Sequence, residues 1–180
     1  MSGTRSITIA IAASAALGLS FAASAETAGE YIDDTTLTAT TKTALVDSDA
    51  VSANDINVEV YKGHIQLSGF VGTDAEEAAA LAIAKGIEGN KGVIDAIAVL
   101  PGDRTMGQAV DDTTIQTKLK AGLADAEGLG SAVAINTEVR QGHVLLAGFV
   151  DSEQVRKTAG DIAGGIDGVK KVHNYITVKP

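Results

Sequence analysis

Shifted against itself by 79 positions, this chain repeats. Ile56-Asn57-Val58-Glu59-Val60 falls on Ile135-Asn136-Thr137-Glu138-Val139, Gly63-His64 on Gly142-His143, and Leu67-Ser68-Gly69-Phe70-Val71 on Leu146-Ala147-Gly148-Phe149-Val150. From Ile56 to Pro101 no gap is needed, and 21 of the 46 paired positions are identical. Upstream, a one-residue shift pairs Asp33-Asp34-Thr35-Thr36 with Asp111-Asp112-Thr113-Thr114. Self-similarity of this kind means one supersecondary unit made twice, and each unit is small enough to be only marginally stable alone. The expected domains are residues 31–101 and 109–180, joined by a short Gly- and Asp-containing linker, 102–108.

Within each copy the periodicity changes along the chain. The acidic Asp-Asp-Thr-Thr start suits a helix N-terminus, where a carboxylate accepts from free backbone N–H groups and faces the positive helix end. Leu37, Thr41, Ala44 and Leu45 then lie on one stripe, as do Ile115, Leu119 and Leu123, which predicts a first helix. Two alternating runs around a glycine turn follow, Ile56-x-Val58-x-Val60 and Ile65-x-Leu67-x-Gly69-x-Val71, and predict a β-hairpin with one buried face. A second helix begins after Thr73-Asp74 and Ser152-Glu153, with Val155, Ala159, Ile162 and Ile166 as its apolar stripe. Gly89 and Gly168 follow its end, and Val93-x-Asp95-x-Ile97-x-Val99 or Val172-x-Asn174-x-Ile176-x-Val178 makes a last strand. The expected fold class is α+β: two tandem α-β-β-α-β modules, each a three-stranded mixed sheet covered on one face by two helices.

Ahead of the repeat stands a segment with a different purpose. Arg5 precedes an apolar run from Ile7 to Phe21, and Ala23-Ser24-Ala25 offers small residues at cleavage positions, so residues 1–25 are expected to be a signal peptide removed after Ala25. The run is roughly 15 residues, short of the about 20 a membrane span needs. The chain holds no cysteine, which excludes disulfides, thiolate metal sites, cysteine nucleophiles and a cysteine-linked lipid anchor. Apolar residues are 45% of the chain but aromatics only 3%, so the cores must be aliphatic.

These motifs resemble the BON domain: the starting Asp, the Gly-x-Ile/Val-x-Leu-x-Gly-x-Val hairpin strand, and the closing Gly168-Val169-Lys170-Lys171-Val172-His173-Asn174-Tyr175-Ile176. The first copy departs at Asn90 and Gly92 and carries Asp95 in place of the Asn. The resemblance covers nearly the whole chain after the signal segment. It implies a periplasmic, osmotic-stress type of envelope maintenance by association with phospholipid surfaces, without catalytic activity and without cofactors.

The residues themselves offer little chemistry. His64 and His143 are equivalent turn-flanking positions, and with His173 they lack a spacing that would gather a metal site. Asp33-Asp34, Asp111-Asp112 and Glu76-Glu77 are sequence neighbours at helix starts, which capping explains better than acid–base catalysis. Gly63, Gly69, Gly142 and Gly148 read as turns and as places where helices pack closely on the sheet. Asn57, Glu59, Asn136 and Glu138 alternate with the buried residues and are expected on a solvated sheet face. Phe70 and Phe149 either close the end of the sheet or offer an exposed apolar contact.

Charge separates the copies. Residues 31–101 carry 11 acids and 4 bases, near −7, and residues 109–180 carry 9 acids and 8 bases, near −1. The chain as a whole stands at −9, unsuited to generic nucleic-acid binding. Arg156, Lys157, Lys170 and Lys171 are the candidate contacts to anionic lipid headgroups, each worth about 1 kcal/mol near a membrane surface. The alternative is a chaperone-like module for envelope proteins, whose sheet edges accept a strand from a partner.

Overall fold

The computed structural model describes residues 28–103, 105–126 and 135–180; the expected signal segment lies outside them. The element order is α1 (Ala28–Val46), a short 3-10 turn (Ala53–Asp55), β1 (Asn57–Tyr61), β2 (His64–Val71), α2 (Asp74–Lys85) and β3 (Gly92–Val99), then α3 (Met106–Asp125), β4 (Ile135–Arg140), β5 (His143–Val150), α4 (Glu153–Gly164) and β6 (Lys171–Val178). The α-β-β-α-β order is present twice. In each three-stranded sheet the second strand is central, with the hairpin partner antiparallel on one side and the last strand parallel on the other. The parallel pairing follows from the intervening helix, which returns the chain to the same end of the sheet.

Alternation decides what each sheet buries on its helix side. Val58, Ile65, Leu67, Val71 and Ile97 meet Leu37, Leu45, Ala80 and Ala84 from the two helices. In the second module Val139, Val144, Leu146, Val150 and Ile176 meet Ile115, Leu119, Leu123, Val155 and Ala159. Thr41, fully buried in the stripe of α1, gives its hydroxyl to the Leu37 carbonyl at 2.7 Å and so carries no unpaired group into the core. The second helices start where their caps dictate: Thr73 accepts from Glu76 N–H, and Ser152 from Val155 N–H.

Two local expectations differ from the structure. The first helices begin upstream of the acidic pairs. In the second module, Thr105 and Gln108 form a reciprocal capping box that starts α3 at Met106, so the helix takes in the end of the expected linker. Asp34 and Asp112 therefore sit inside helices and do not cap them. The close approach at Gly69 also comes from a different element: the 3-10 turn, not a helix, rests its backbone on β2, with Asp55 O at 1.9 Å from where a Cβ on Gly69 would stand.

The faces turned away from the helices are not solvated. Phe70, Ala96 and Ala98 of the first module and Leu145 and Ala147 of the second form one buried cluster, with Leu100 and Tyr175 packed against it. The two sheets thus stack face to face with helices outside, giving helix, sheet, sheet, helix layers. Phe70 is fully buried and Phe149 is 7% exposed, so both phenylalanines close the contact between modules. Asn57 stays exposed, while Glu59, Asn136 and Glu138 are half-buried at the margins. Burial pushes the Glu59 carboxyl up, opposed by the Lys42 charge.

Candidate functional site

The contact between modules follows an approximate two-fold. Tyr61 stacks on Phe149 with ring centroids 5.4 Å apart. At the equivalent place across the interface, Arg140 Nη1 donates to the Phe70 carbonyl at 3.0 Å. Gln66, 1% exposed, breaks the symmetry, because Leu145 is its counterpart. Its Oε1 accepts from Gly148 N–H at 2.6 Å and its Nε2 donates to the Tyr175 carbonyl and Thr177 Oγ1, both at 3.0 Å. A buried amide with both ends paired in this way holds one alignment of the sheets. Gln66→Ala is expected to lower stability by about 2–3 kcal/mol, because Gly148 N–H and the Tyr175 carbonyl lose their partner in a dry place. Chemical denaturation measures this; a change under half a kcal/mol would mean the amide contributes little to the alignment.

The acidic starts of the repeat clamp the hairpin turns. Lys62 and Gly63, with φ of 50° and 83°, and Gln141 and Gly142, with φ of 55° and 80°, are both two-residue turns of the primed type that hairpins prefer. Such a turn leaves two N–H groups pointing outward. Asp34 takes both, at 2.7 Å each, and Asp112 takes its pair at 2.8 Å each. From the other side, Lys91 N–H donates to the Gly63 carbonyl and Lys170 N–H to the Gly142 carbonyl, both at 2.8 Å. Beside each clamp lies a small cavity. One of about 290 Å³ is bounded by Asp33, Asp34, Lys62 and Lys91, and its equivalent of about 180 Å³ by Gln108, Asp111, Asp112 and Lys170.

Of the other acids, Glu76 accepts from Ser52 N–H at 2.7 Å and Gly72 N–H at 3.1 Å, fastening the 3-10 loop to α2. Burial raises its carboxyl, but these hydrogen bonds outweigh it and hold the group below the ordinary range. Glu77 is pushed up, first by burial and then by the neighbouring Asp95 and Asp74.

The four candidate headgroup contacts divide into two pairs. Arg156 binds Glu153 at 2.6 Å and Lys157 binds Asp161 at 2.5 Å, both along the exposed side of α4. Their charge is met on their own helix. Lys170 and Lys171 are exposed at the entrance to β6, with Lys170 Nζ donating to the Gln141 carbonyl at 2.9 Å. Lys170 shares its cavity with Gln108, Asp111 and Asp112 of α3. The same helix exposes Met106 at 87% and Val110 at 66%, outside that lining. Farther along α3, Thr113, Thr114 and Thr117 turn their hydroxyls back onto the carbonyls of Ala109, Val110 and Thr113. Periodicity does not select Met106, because the residue falls in the linker expected at 102–108.

The histidines separate. His64 stands against Gly92 in the first module. His143 and His173, diagonal neighbours on β5 and β6, bring Nδ1 and Nε2 to 3.3 Å. Among the described residues, no group of three or more His, Cys, Asp or Glu is placed to hold a metal ion. No helix among them is long and apolar enough to cross a membrane.

A doubled sheet-and-helix unit, hairpin turns clamped by the repeat's leading Asp, and a closing Gly-Val strand define a tandem BON-domain protein. The BON domain pattern matches residues 33–101 and 111–180, and the chain belongs to this family. It is similar to the osmotically-inducible protein Y of Escherichia coli, 35% identical over 152 residues that cover 84% of this chain and 75% of the relative. It is also similar to the outer membrane lipoprotein DolP of Haemophilus influenzae, 39% identical over 82 residues, which cover 43% of this chain and 40% of that protein. Among solved structures, the C-terminal domain of CdsD, a structural protein of the type III secretion system of Chlamydia trachomatis, overlays with a TM-score of 0.32 at 16% identity. That overlay covers 82% of this chain and 67% of the other.

Proposed function

We propose that this protein is a periplasmic, non-catalytic envelope protein that supports membrane integrity under osmotic-type stress by resting on phospholipid surfaces through its second module. The observation that carries the reading is the exposure of Lys170 and Lys171 at the entrance to β6, in the same module whose helix α3 exposes Met106 and Val110. Exposed apolar groups on a surface helix and exposed cations in the same module suit the interfacial region of an anionic membrane. The threonine hydroxyls satisfied along α3 lower the cost of bringing that helix near lipid. The resemblance to the osmotically-inducible protein Y and to a named outer membrane lipoprotein supports an envelope role. The acidic first module, near −7, would face away from the headgroups.

Flotation with anionic and neutral vesicles tests this. Binding to anionic vesicles at low salt is expected to fall about 30-fold in Lys170→Gln/Lys171→Gln, from two contacts of about 1 kcal/mol each. Arg156→Gln/Lys157→Gln should lose less, because Glu153 and Asp161 already meet those charges. Equal failure on both vesicle types at low salt would remove the reading.

A second reading, a chaperone-like module for exported proteins, has one observation in its favour: β1, β3, β4 and β6 are all sheet edges. At β4 the Gln116 amide donates to the Thr137 carbonyl and already covers one of the groups an added strand would use. Suppression of aggregation of an unfolding client measures it, and no effect at excess protein would count against it.

A further inference from the structure

We propose that the contact between the two modules is an acid-operated latch: protonation of the His143–His173 pair loosens the sheet-on-sheet packing and uncovers the apolar faces between the modules. The pair stands at the margin of that contact. The His173 ring packs edge-on against Phe70 of the first module, centroids 5.8 Å apart at 87°, and Phe70 is fully buried in the shared cluster. His173 also lies 5.9 Å from the Tyr175 ring, whose backbone carbonyl accepts the Gln66 bond. His173 is therefore shielded from water partly by its own sheet and partly by the opposite module.

The 3.3 Å approach of His143 Nδ1 to His173 Nε2 is an N–H···N contact that needs at least one neutral ring, since two imidazolium rings offer only donors. The surroundings oppose added positive charge. From the turn before β6 comes Lys170, from the start of β6 Lys171, and from β4 Arg140, register partner of His143. Asp112 of α3 is the acid that acts on His143. From the first module, β2 contributes apolar Phe70 and neutral Gln66, while Asp95 of β3 and Glu77 of α2 act on Tyr175. Burial, then the lysines, lower the proton affinity of His143; burial, then Lys171 and His143, lower that of His173.

The linkage has a definite sign. Groups whose folded pKa is depressed stabilise the closed form above the ordinary histidine range, about 6.5, and that contribution is lost as pH falls through the depressed values. Separating the modules removes Phe70 from His173 and restores water to it, so proton binding favours the open form. Each unit of pKa restored makes opening about tenfold easier per proton. The first module lacks the device, because Ile94 stands where the second has His173.

The absence of cysteine makes a direct test possible in the full chain. Ala98→Cys places a thiol in the shared cluster, where Ala98 is 4% exposed, and Ala84→Cys places one in the helix-side core, where Ala84 is fully buried. Labelling with dithiodipyridine, corrected by a free thiol at each pH, reads opening of the contact in the first and unfolding of the module in the second. Between about pH 7.5 and pH 5, labelling of Ala98→Cys is expected to rise about tenfold or more while Ala84→Cys stays unchanged, and the rise should vanish with His143→Gln/His173→Gln. No rise, an equal rise without the histidines, or an equal rise in Ala84→Cys would each overturn the latch.

Discussion

Gly69→Ala is expected to unfold the first module at least about 10 °C below the parent protein. The added methyl would stand 1.9 Å from Asp55 O and 3.0 Å from Asp55 C, and neither atom can swing aside as the end of a side chain does. Residue 69 also holds φ of 143°, a conformation that strains any residue with a Cβ by about 1–3 kcal/mol. Relief requires the 3-10 turn to lift off β2. That carries Ile56, 6% exposed, and Val58, 5% exposed, out of the core. Strain and displacement together amount to about 3–4 kcal/mol, and each kcal/mol lowers the midpoint of a small domain by about 4–8 °C. Gly107→Ala is the control: it lies in α3 with nothing within 4 Å of the new methyl, so it should leave stability unchanged or slightly raised. Thermal unfolding of the two variants compares them directly, and a Gly69→Ala midpoint within two degrees of the parent would show that the turn does not rest on the strand.

Asp112→Ala should cost the second module about 3 kcal/mol. The carboxylate, on a residue 2% exposed, takes the N–H groups of Gln141 and Gly142 at 2.8 Å each. Removing it leaves both turn donors without their ionised acceptor, and hydrogen bonds to such an acceptor are worth about 1.5–3 kcal/mol each. Asp112→Asn should recover only part of this, since one end of the amide is itself a donor. The loss should fall mostly on the turn: amide exchange at Gln141 and Gly142 is expected to speed up ahead of exchange in β5. Asp34→Ala should cost less, because Asp34 is half-buried and water can replace it. If Asp112→Ala exchanges at those two amides as slowly as the parent, the clamp contributes nothing.

The acidic pairs show what a single strand of sequence can and cannot disclose. Asp-Asp-Thr-Thr has the composition of a helix start, and the local statistics are sound; the structure moves the start upstream to Thr105 in the second module. The aspartates then reach residues 28 to 30 positions away, a distance that no window of helical or strand period spans. The same holds for Glu76, whose partner Ser52 lies 24 positions back. The four candidate lipid contacts were legible as bases, but whether each base had a carboxylate beside it was partly legible too, since Glu153–Arg156 and Lys157–Asp161 stand at helical spacing.

The second face of each sheet left a trace in the repeat that periodicity alone does not use. Helix-side positions agree between copies: Ile56 with Ile135, Leu67 with Leu146, Val71 with Val150, Ile97 with Ile176. Positions on the opposite face mostly differ: Tyr61 against Arg140, Gln66 against Leu145, Ile94 against His173, Ala96 against Tyr175 and Ala98 against Thr177. Two copies that meet through the same face, once each, place unlike residues against one another, and Gln66 reaching Gly148 is the clearest case.

Repetition and alternation, readable from the chain itself, determined the unit, its element order, the helix-covered face and the family, because each depends on contacts whose period is set by the backbone geometry of a helix or a strand. Tertiary structure alone decided that the other face is dry, that Gln66 and the histidine pair guard it, and that the leading aspartates hold turns. Those outcomes rest on groups about 30 to 110 residues apart, and whether such groups meet is a matter of how two finished sheets stack. A strand's period marks which side a residue faces but not what lies opposite.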